Sequence, residues 1–365
     1  MKKIMLIFGT RPEAVKMCPL VRALRERGKV QTVVCVTGQH RGMLDGVLAA
    51  FGVRPDYDLD IMTAGQTLFD VTARVLLGVR EVLEKEHPDM VAVHGDTTTA
   101  YAAALGAFYL HIPVAHVEAG LRTHDIAQPF PEEFNRQSVS LMADWHFAPT
   151  AAAAENLLRE GKSAERVFVT GNTAIDALRY TVRQDFAHPL LEWARGGRLV
   201  LLTAHRRENL GRPLEQMLRA VRRVAEARED VRIIYPVHMN PVVREAAEKV
   251  LGGQQNIRLV PPLDVVDFHN ILARAYLVLT DSGGIQEEAP ALGKPVLVMR
   301  QTTERPEGVA AGTLKLVGCE EQGIYESTLQ LLDDAEAYAA MASAINPYGD
   351  GHAAEHICEQ IEQRI

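Results

Sequence analysis

YLVLTDSGGIQEEAPALGKPVLVMRQTTERPEG, residues 276–308, decides how the rest of the chain is read. Tyr276 to Leu279 is an apolar run with the length of a buried parallel strand, and Thr280-Asp281-Ser282-Gly283-Gly284 breaks it and opens a helix. The first amides of a helix lack partners within it, the dipole adds partial positive charge there, and glycines let a ligand come close. A phosphate suits such a place. Glu288 follows one turn later on the same face, where a carboxylate repels phosphate but accepts both hydroxyls of a ribose. The pair reads as a nucleotide held by its diphosphate and its sugar. Pro295 to Met299 is the next strand, running into Arg300 and then Thr302-Thr303-Glu304-Arg305-Pro306. A Gly-Gly pair alone is common in strand-turn-helix corners, so a purely structural reading stays open on that motif by itself.

Outward from this stretch the same alternation of strand and helix repeats. Arg198 to Leu202 leads to Thr203-Ala204-His205-Arg206-Arg207-Glu208-Asn209, and strands follow near Val231 to Tyr235 and Ile257 to Val260. This pattern predicts a doubly wound parallel sheet. Residues 181–198, with Pro189 and Gly196-Gly197, are weakly patterned and read as a junction. Before it, Lys3 to Phe8 is a first strand that turns through Gly9-Thr10-Arg11-Pro12-Glu13 into a helix; Arg11 and Lys16 oppose the helix dipole there and suit an anion, although a solvated basic turn is the commoner arrangement. Val30 to Val36 is a second strand. Asp89 to Val93 delivers His94-Gly95-Asp96, and Pro113 to Val117 delivers Glu118. Ligands of open α/β sheets bind beyond the carboxyl ends of strands, so Asp96 and Glu118 are expected to converge. Glu132 and Glu133 open a further helix, where both also serve as dipole partners. Strands at Trp145 to Ala148 and Val167 to Thr170 complete this half, and a last helix begins near Gly351.

With 365 residues, two domains are expected from a prior of roughly 150 residues each. The chain is 47% hydrophobic and 24% charged, and no apolar run approaches the roughly 20 residues of a membrane span. MKKIMLIFGTRPE has a basic start but only a strand-length apolar run and no small-residue cleavage site, so it is not read as a signal peptide. Four scattered cysteines, Cys18, Cys35, Cys319 and Cys358, have neither metal nor disulfide spacing and are expected to be reduced thiols in a cytoplasm. A net charge of −8 argues against nucleic-acid binding. His94, His116 and His124 lie near the acids but are too scattered to be read as metal ligands.

FGTRPE with Lys16, GQHRGML, HGDTTT, EAGLRT, PFPEEFNR, AHRREN, YPVH and TDSGGIQEE occur in this order, and together with the TTERPE tail they carry a resemblance over nearly the whole chain. The sequence resembles the non-hydrolysing UDP-N-acetylglucosamine 2-epimerases. That resemblance implies a GT-B fold, α/β, with two Rossmann-like doubly wound parallel-sheet domains facing a central cleft. The domains are expected at residues 1–172, with helix 352–365 packing back on them, and at residues 173–351. It implies Asp96, Glu118, Glu132 and His205 as catalytic residues. It further implies Arg11, Lys16, Arg136, His205 and Arg305 at the substrate and diphosphate, and Phe268, Ser282, Gly283, Gly284 and Glu288 at UDP. A second UDP-N-acetylglucosamine is implied as activator, at positions matched by Gln39, His40, Arg206 and His238; Gly42 and Gly65 stand where some relatives carry a longer polar residue and an arginine. A homodimer without cofactor, metal or membrane association is implied as well.

The chemistry agrees with that inventory. No carbonyl acidifies the hydrogen on the carbon bearing the acetamido group, so direct proton abstraction is not credible. Transient oxidation by a nicotinamide is disfavoured, because neither half carries G-x-G-x-x-G. Elimination of UDP across the anomeric bond needs carboxylates to take and return protons and cations to receive the leaving diphosphate. A hydrolysing epimerase shares this machinery, a GT-B glycosyltransferase would need an acceptor, and a non-catalytic sensor would not need the acids.

Overall fold

Two parallel sheets organise the chain in the computed structural model, which describes every residue except Gln39, His40 and Ala64. The first sheet contains β1 (Lys3–Phe8), β2 (Gln31–Val36), β3 (Tyr57–Asp58), β4 (Met90–His94), β5 (Val114–Val117), β6 (Trp145–Ala148) and β7 (Val167–Val169), in the order β3-β2-β1-β4-β5-β6-β7. The second contains β8 (Arg198–Thr203), β9 (Val231–Pro236), β10 (Ile257–Val260), β11 (Leu277–Thr280), β12 (Val296–Val298) and β13 (Leu314–Leu316), in the order β10-β9-β8-β11-β12-β13. In each, the chain winds outward to one edge and then restarts from the middle. The reversal lies between β1 and β4 in one sheet and between β8 and β11 in the other. Such switch points leave a crevice outside the carboxyl ends of the two strands, where neighbouring loops diverge.

Helices cover both faces of each sheet, so the strands are apolar throughout. Ile4, Met5, Leu6, Ile7 and Phe8 are all buried, as are Val200, Leu201 and Leu202 in β8. The helix Arg11–Arg27 is set by a capping box between Thr10 and Glu13, with Pro12 at its start and Gly28 in the left-handed conformation at its end. In Arg212–Ala227, Leu214, Met217, Leu218, Val221, Val224 and Ala225 recur at helical spacing and face the second core.

The chain divides into one unit of Met1–Tyr180 with Tyr348–Ile365 and another of Thr181–Pro347. The first division falls after Asn172 because the helix Thr173–Thr181 stays tied to the first unit: Asp176 accepts the N–H of Ala354 at 2.8 Å and of Ala353 at 3.2 Å, capping the last helix Ala353–Glu362. The second falls before residue 351 because Tyr348 already accepts the N–H of Asn172 at 2.8 Å. The last helix buries Ile357, Cys358 and Ile361, and Glu362 receives Arg27 through two bonds of 2.5 and 2.8 Å. The weakly patterned 181–198 stretch holds a short helix, Pro189–Ala194, capped by His188. Strands β3 and β13, of 2 and 3 residues, are too short to leave a periodic signal in the sequence. No helix among the described residues is long and apolar enough to cross a membrane.

Glycine is required at Gly120, just past the end of β5. Its φ is +89°, and an added Cβ would lie 2.1 Å from the Ala153 carbonyl oxygen. Gly161 has a similar φ of +82° but open space around it. Gly161→Ala should therefore cost about 1 kcal/mol, and Gly120→Ala several times as much. Denaturant unfolding of the two variants checks this; equal losses would mean that backbone angle, not the Ala153 contact, sets the requirement.

Candidate active site

Three of the expected site residues of the first unit follow the carboxyl ends of β1, β4 and β5. Glu118 has a φ of +61°, a left-handed backbone that is costly for a residue with a Cβ and is found where surrounding contacts enforce it. Its Oε2 accepts a charge-assisted bond from Lys16 and another from Asn172 Nδ2 at 3.0 Å, with His94 Nε2 3.7 Å away. Lys16 is buried one turn into its helix, so Glu118 is the anion it meets in the protein itself. Burial pushes the His94 imidazole down to about 4, with the Lys16 charge adding to the effect and Glu118 opposing it. At neutral pH His94 is uncharged.

Asp96 lies in the turn after β4. Arg136 donates to its carboxylate, and Asn135 Nδ2 donates to its carbonyl at 2.9 Å. The adjacent acids at the start of helix Glu132–Met142 have different surroundings. Glu133 is fully buried and accepts the N–H groups of Thr123 and His124 at 3.1 and 3.3 Å, Gln137 Nε2 at 2.8 Å and Arg136 Nη1 at 3.3 Å. It fastens the 123–131 turn to the helix and aims Arg136 at Asp96. The Glu132 side chain is half-buried and makes no hydrogen bond or ion pair with any described residue. Both acids lie in the first turn of the helix, as expected of dipole partners, and Glu133 also ties the preceding loop to it. Arg11 opens its helix half-buried at the end of β1.

In the second unit, Asp281 is a fully buried carboxylate at the end of β11. Its Oδ2 accepts the N–H of His205 and of Arg206, each at 2.8 Å, and Asn209 Nδ2 at 3.2 Å. That carboxylate fixes the turn after β8 against the turn after β11. A Cβ on Gly283 would lie 3.2 Å from the Arg305 guanidinium and 3.4 Å from Arg206 Nη2, so two cations border the backbone of the Gly-Gly turn. Arg305 is braced by the buried Glu287, which accepts its Nε at 2.8 Å, and Thr303 links the Arg305 amide to Gln286. Glu304 is burdened by desolvation, but bonds from Arg300 and the charge of Arg305 outweigh it and hold the carboxyl down at about 2. His205 stacks on His238 with centroids 5.2 Å apart. Burial pushes the His205 imidazole down, with Asp281 3.7 Å away opposing this. Glu288, next to Glu287 but on the Gly284 side, lies 3.6 Å from His269 Nε2, whose Nδ1 is 2.7 Å from Thr181 Oγ1. Phe268 is half-buried against the core beside His269. The second unit therefore presents clustered cations at a turn of bare backbone and a carboxylate one helical turn on.

A family model described as UDP-N-acetylglucosamine 2-epimerase matches residues 22–362. The chain belongs to that family. It is 56% identical over 359 residues to the UDP-N-acetylglucosamine 2-epimerase of Bacillus subtilis strain 168, covering 98% of this chain and 94% of that one. A solved structure from Listeria monocytogenes superposes with a TM-score of 0.96 at 56% identity, covering 99% of this chain and 96% of its own. The UDP-GlcNAc 2-epimerase of Neisseria meningitidis, solved bound to UDP-GlcNAc, has a TM-score of 0.93 at 44% identity and covers 99% and 100% of the two chains. The two-sheet architecture is the GT-B-like fold of these epimerases.

Within this epimerase family fold, Lys16 and Glu118 come together, as do Asp96 and Arg136, and in the second unit His205, Arg206, Gly283 and Arg305. Arg206 and His238, expected at an activator site, adjoin the Gly283 turn and His205 respectively. Gln39 and His40 lie outside the described residues. Asn172, His269 and Glu287 carry or brace site residues without a signal of their own in the sequence, and Glu133 is legible there only as a dipole partner. The two acid pairs gave a partial signal, because neighbouring helix positions face about 100° apart and one of each pair must turn inward.

Replacement of Glu133 by Gln should cost about 1.5 to 3 kcal/mol and weaken the Arg136 to Asp96 contact, because charge-assisted bonds are lost in a buried place. Glu132→Gln should leave thermal stability and UDP affinity near parental while slowing turnover by ~100- to 10,000-fold, the usual contribution of a proton-transfer group. Melting curves with single-turnover rates separate the two; parental turnover in Glu132→Gln would return that residue to a helix-start role.

A second outcome follows from His205. A dianion arriving beside an imidazole held below its ordinary value raises it, so UDP binding should take up protons, and affinity should fall as pH rises through the bound-state value. Titration calorimetry in buffers of different ionisation enthalpy reads this uptake. His205→Gln should take up fewer protons than the parent, and an unchanged uptake would remove His205 from the diphosphate.

Proposed function

We propose that the chain interconverts UDP-N-acetylglucosamine and UDP-N-acetylmannosamine without releasing free sugar. The observation that carries this reading is the Gly283 turn, where Arg305 and Arg206 border bare backbone as a leaving diphosphate requires. Family membership and the acids of the first unit support it.

In this reading UDP is held through its ribose by Glu288, beside Phe268, and through its diphosphate by Ser282, Gly283, Gly284, Arg305 and His205, with Arg11 also at the diphosphate. One carboxylate takes the proton from C2 as the C1–O bond breaks. The bonding pair goes to the β-phosphate oxygen, and a C1–C2 double bond forms, giving 2-acetamidoglucal. For return, a proton is delivered to the opposite face of C2 and the β-phosphate oxygen rebuilds the bond to C1. Two carboxyl groups on different faces are needed, drawn from Asp96, Glu118 and Glu132. Arg136 orients Asp96 and Lys16 orients Glu118. No redox step occurs, so nothing in the balance calls for a nicotinamide.

We propose further that the protein is a homodimer and that a second UDP-N-acetylglucosamine activates it through Gln39, His40, Arg206 and His238. Gly42 and Gly65 offer no side chain to that activator, so activation is expected to be weak.

Proton NMR of the protein with UDP-N-acetylglucosamine in deuterated water tests the reaction. The expected result is the UDP-linked epimer with solvent deuterium at C2. Free N-acetylmannosamine with UDP would make the chain a hydrolysing epimerase, and retained hydrogen at C2 would contradict elimination.

A further inference from the structure

Asn172 lies at the carboxyl end of the first unit's sheet, beyond β7, and is 3% exposed. Its side-chain amide is oriented without ambiguity by what surrounds it. The oxygen accepts the N–H of Ala174 at 2.9 Å, which leaves the nitrogen to face Glu118, where it donates to Oε2 at 3.0 Å. Its backbone is equally constrained, since its N–H is given to Tyr348 at 2.8 Å, and Gly171 beside it packs on Gly349. The returning C-terminal segment therefore sets the position of an amide that touches the acid.

Two demands meet at this residue. Capping the helix Thr173–Thr181 needs only an acceptor, which Asp, Ser and Thr also supply. A bond to Glu118 needs a donor, which an ionised Asp cannot supply. From this pairing we propose that Asn172 is a positioning residue for the reaction, holding the Glu118 carboxylate in its left-handed backbone setting with a donor that carries no charge of its own. The proposal rests on Glu118 acting in the epimerisation set out above. Lys16 alone would bind Oε2 as a point charge on a flexible stem, whereas the amide, fixed at both ends, restricts where the carboxylate can swing. Among the described residues, the charged and titratable groups beside Glu118 include Lys16 from helix Arg11–Arg27 and His94 at the end of β4, and Asp96, paired with Arg136, acts on His94 in turn.

Asn172→Asp keeps the cap and places a like charge against Glu118. Asn172→Ser keeps a cap and draws the donor back from Glu118 by one bond length. Asn172→Ser should melt within a few degrees of the parent and Asn172→Asp lower, because it buries a second carboxylate, and both should bind UDP with near-parental affinity, since neither alters a residue placed at UDP. In Asn172→Asp the acid limb of the kcat/KM profile should move up by about one pH unit and kcat at neutral pH should fall at least about tenfold, as expected when a like charge enters a proton-transfer site. Asn172→Ser should lose kcat with little change in KM. An unmoved acid limb with parental kcat in Asn172→Asp, or parental kcat in Asn172→Ser, would reduce Asn172 to a helix cap. Should Asn172→Asp fail to fold, the Asn172→Ser rate decides. A parent chain that does not epimerise UDP-N-acetylglucosamine would instead overturn the reading on which this rests, before either variant is compared.

Discussion

A carboxylate buried in a protein gathers donors, and the acids that do so are the frame on which both candidate sites are built. Asp281 collects the amides of His205 and Arg206 and so fixes the turn after β8 to the turn after β11. Glu133 gathers two loop amides, Gln137 and Arg136. Glu287 braces Arg305 beside Gly283. Glu13, whose carboxyl is pushed up by burial against the bonds it accepts, takes the amides of Gly9 and Thr10 and the hydroxyl of Thr97. Each removes the freedom of a loop that would otherwise be the most mobile part of an α/β unit. The groups assigned to chemistry stand next to them.

That division of labour explains the paired acids. Glu132 beside Glu133, and Glu288 beside Glu287, place one carboxylate inward as a brace and leave its neighbour only partly buried. The brace is rigid because it is fully satisfied, which is what a reacting group needs from its neighbours. Glu118 reaches the same end differently, through a left-handed backbone, an ion pair with Lys16 and an amide from Asn172.

Most of this architecture is legible in the sequence, for a physical reason. Strands buried on both faces are uninterrupted apolar runs, and the turns that follow them carry glycines and polar residues, so Asp96, Glu118, His205 and Gly283 can be placed at strand ends without coordinates. Short edge strands such as Tyr57–Asp58 and Leu314–Leu316 bury too little to leave a pattern. Long-range bonds leave none at all. Nothing in one sequence connects Lys16 with Glu118, Asn172 with Tyr348, or Arg27 with Glu362, because each pairing is made by the winding of the sheet or the return of the last helix. Lys16 is an instance: its position in the sequence points to an anion, but only the fold brings it to Glu118.

In the proposed reaction the bond between the sugar and UDP breaks and reforms during each epimerisation. Substrate carrying oxygen-18 only in the bridge between C1 and the β-phosphorus tests it directly. If UDP departs, its β-phosphate can rotate before return, and NMR of the recovered UDP-N-acetylglucosamine should show the label spread into non-bridging positions as epimerisation proceeds. Label that stays entirely in the bridge while epimer accumulates would contradict elimination and require inversion at C2 with the anomeric bond intact.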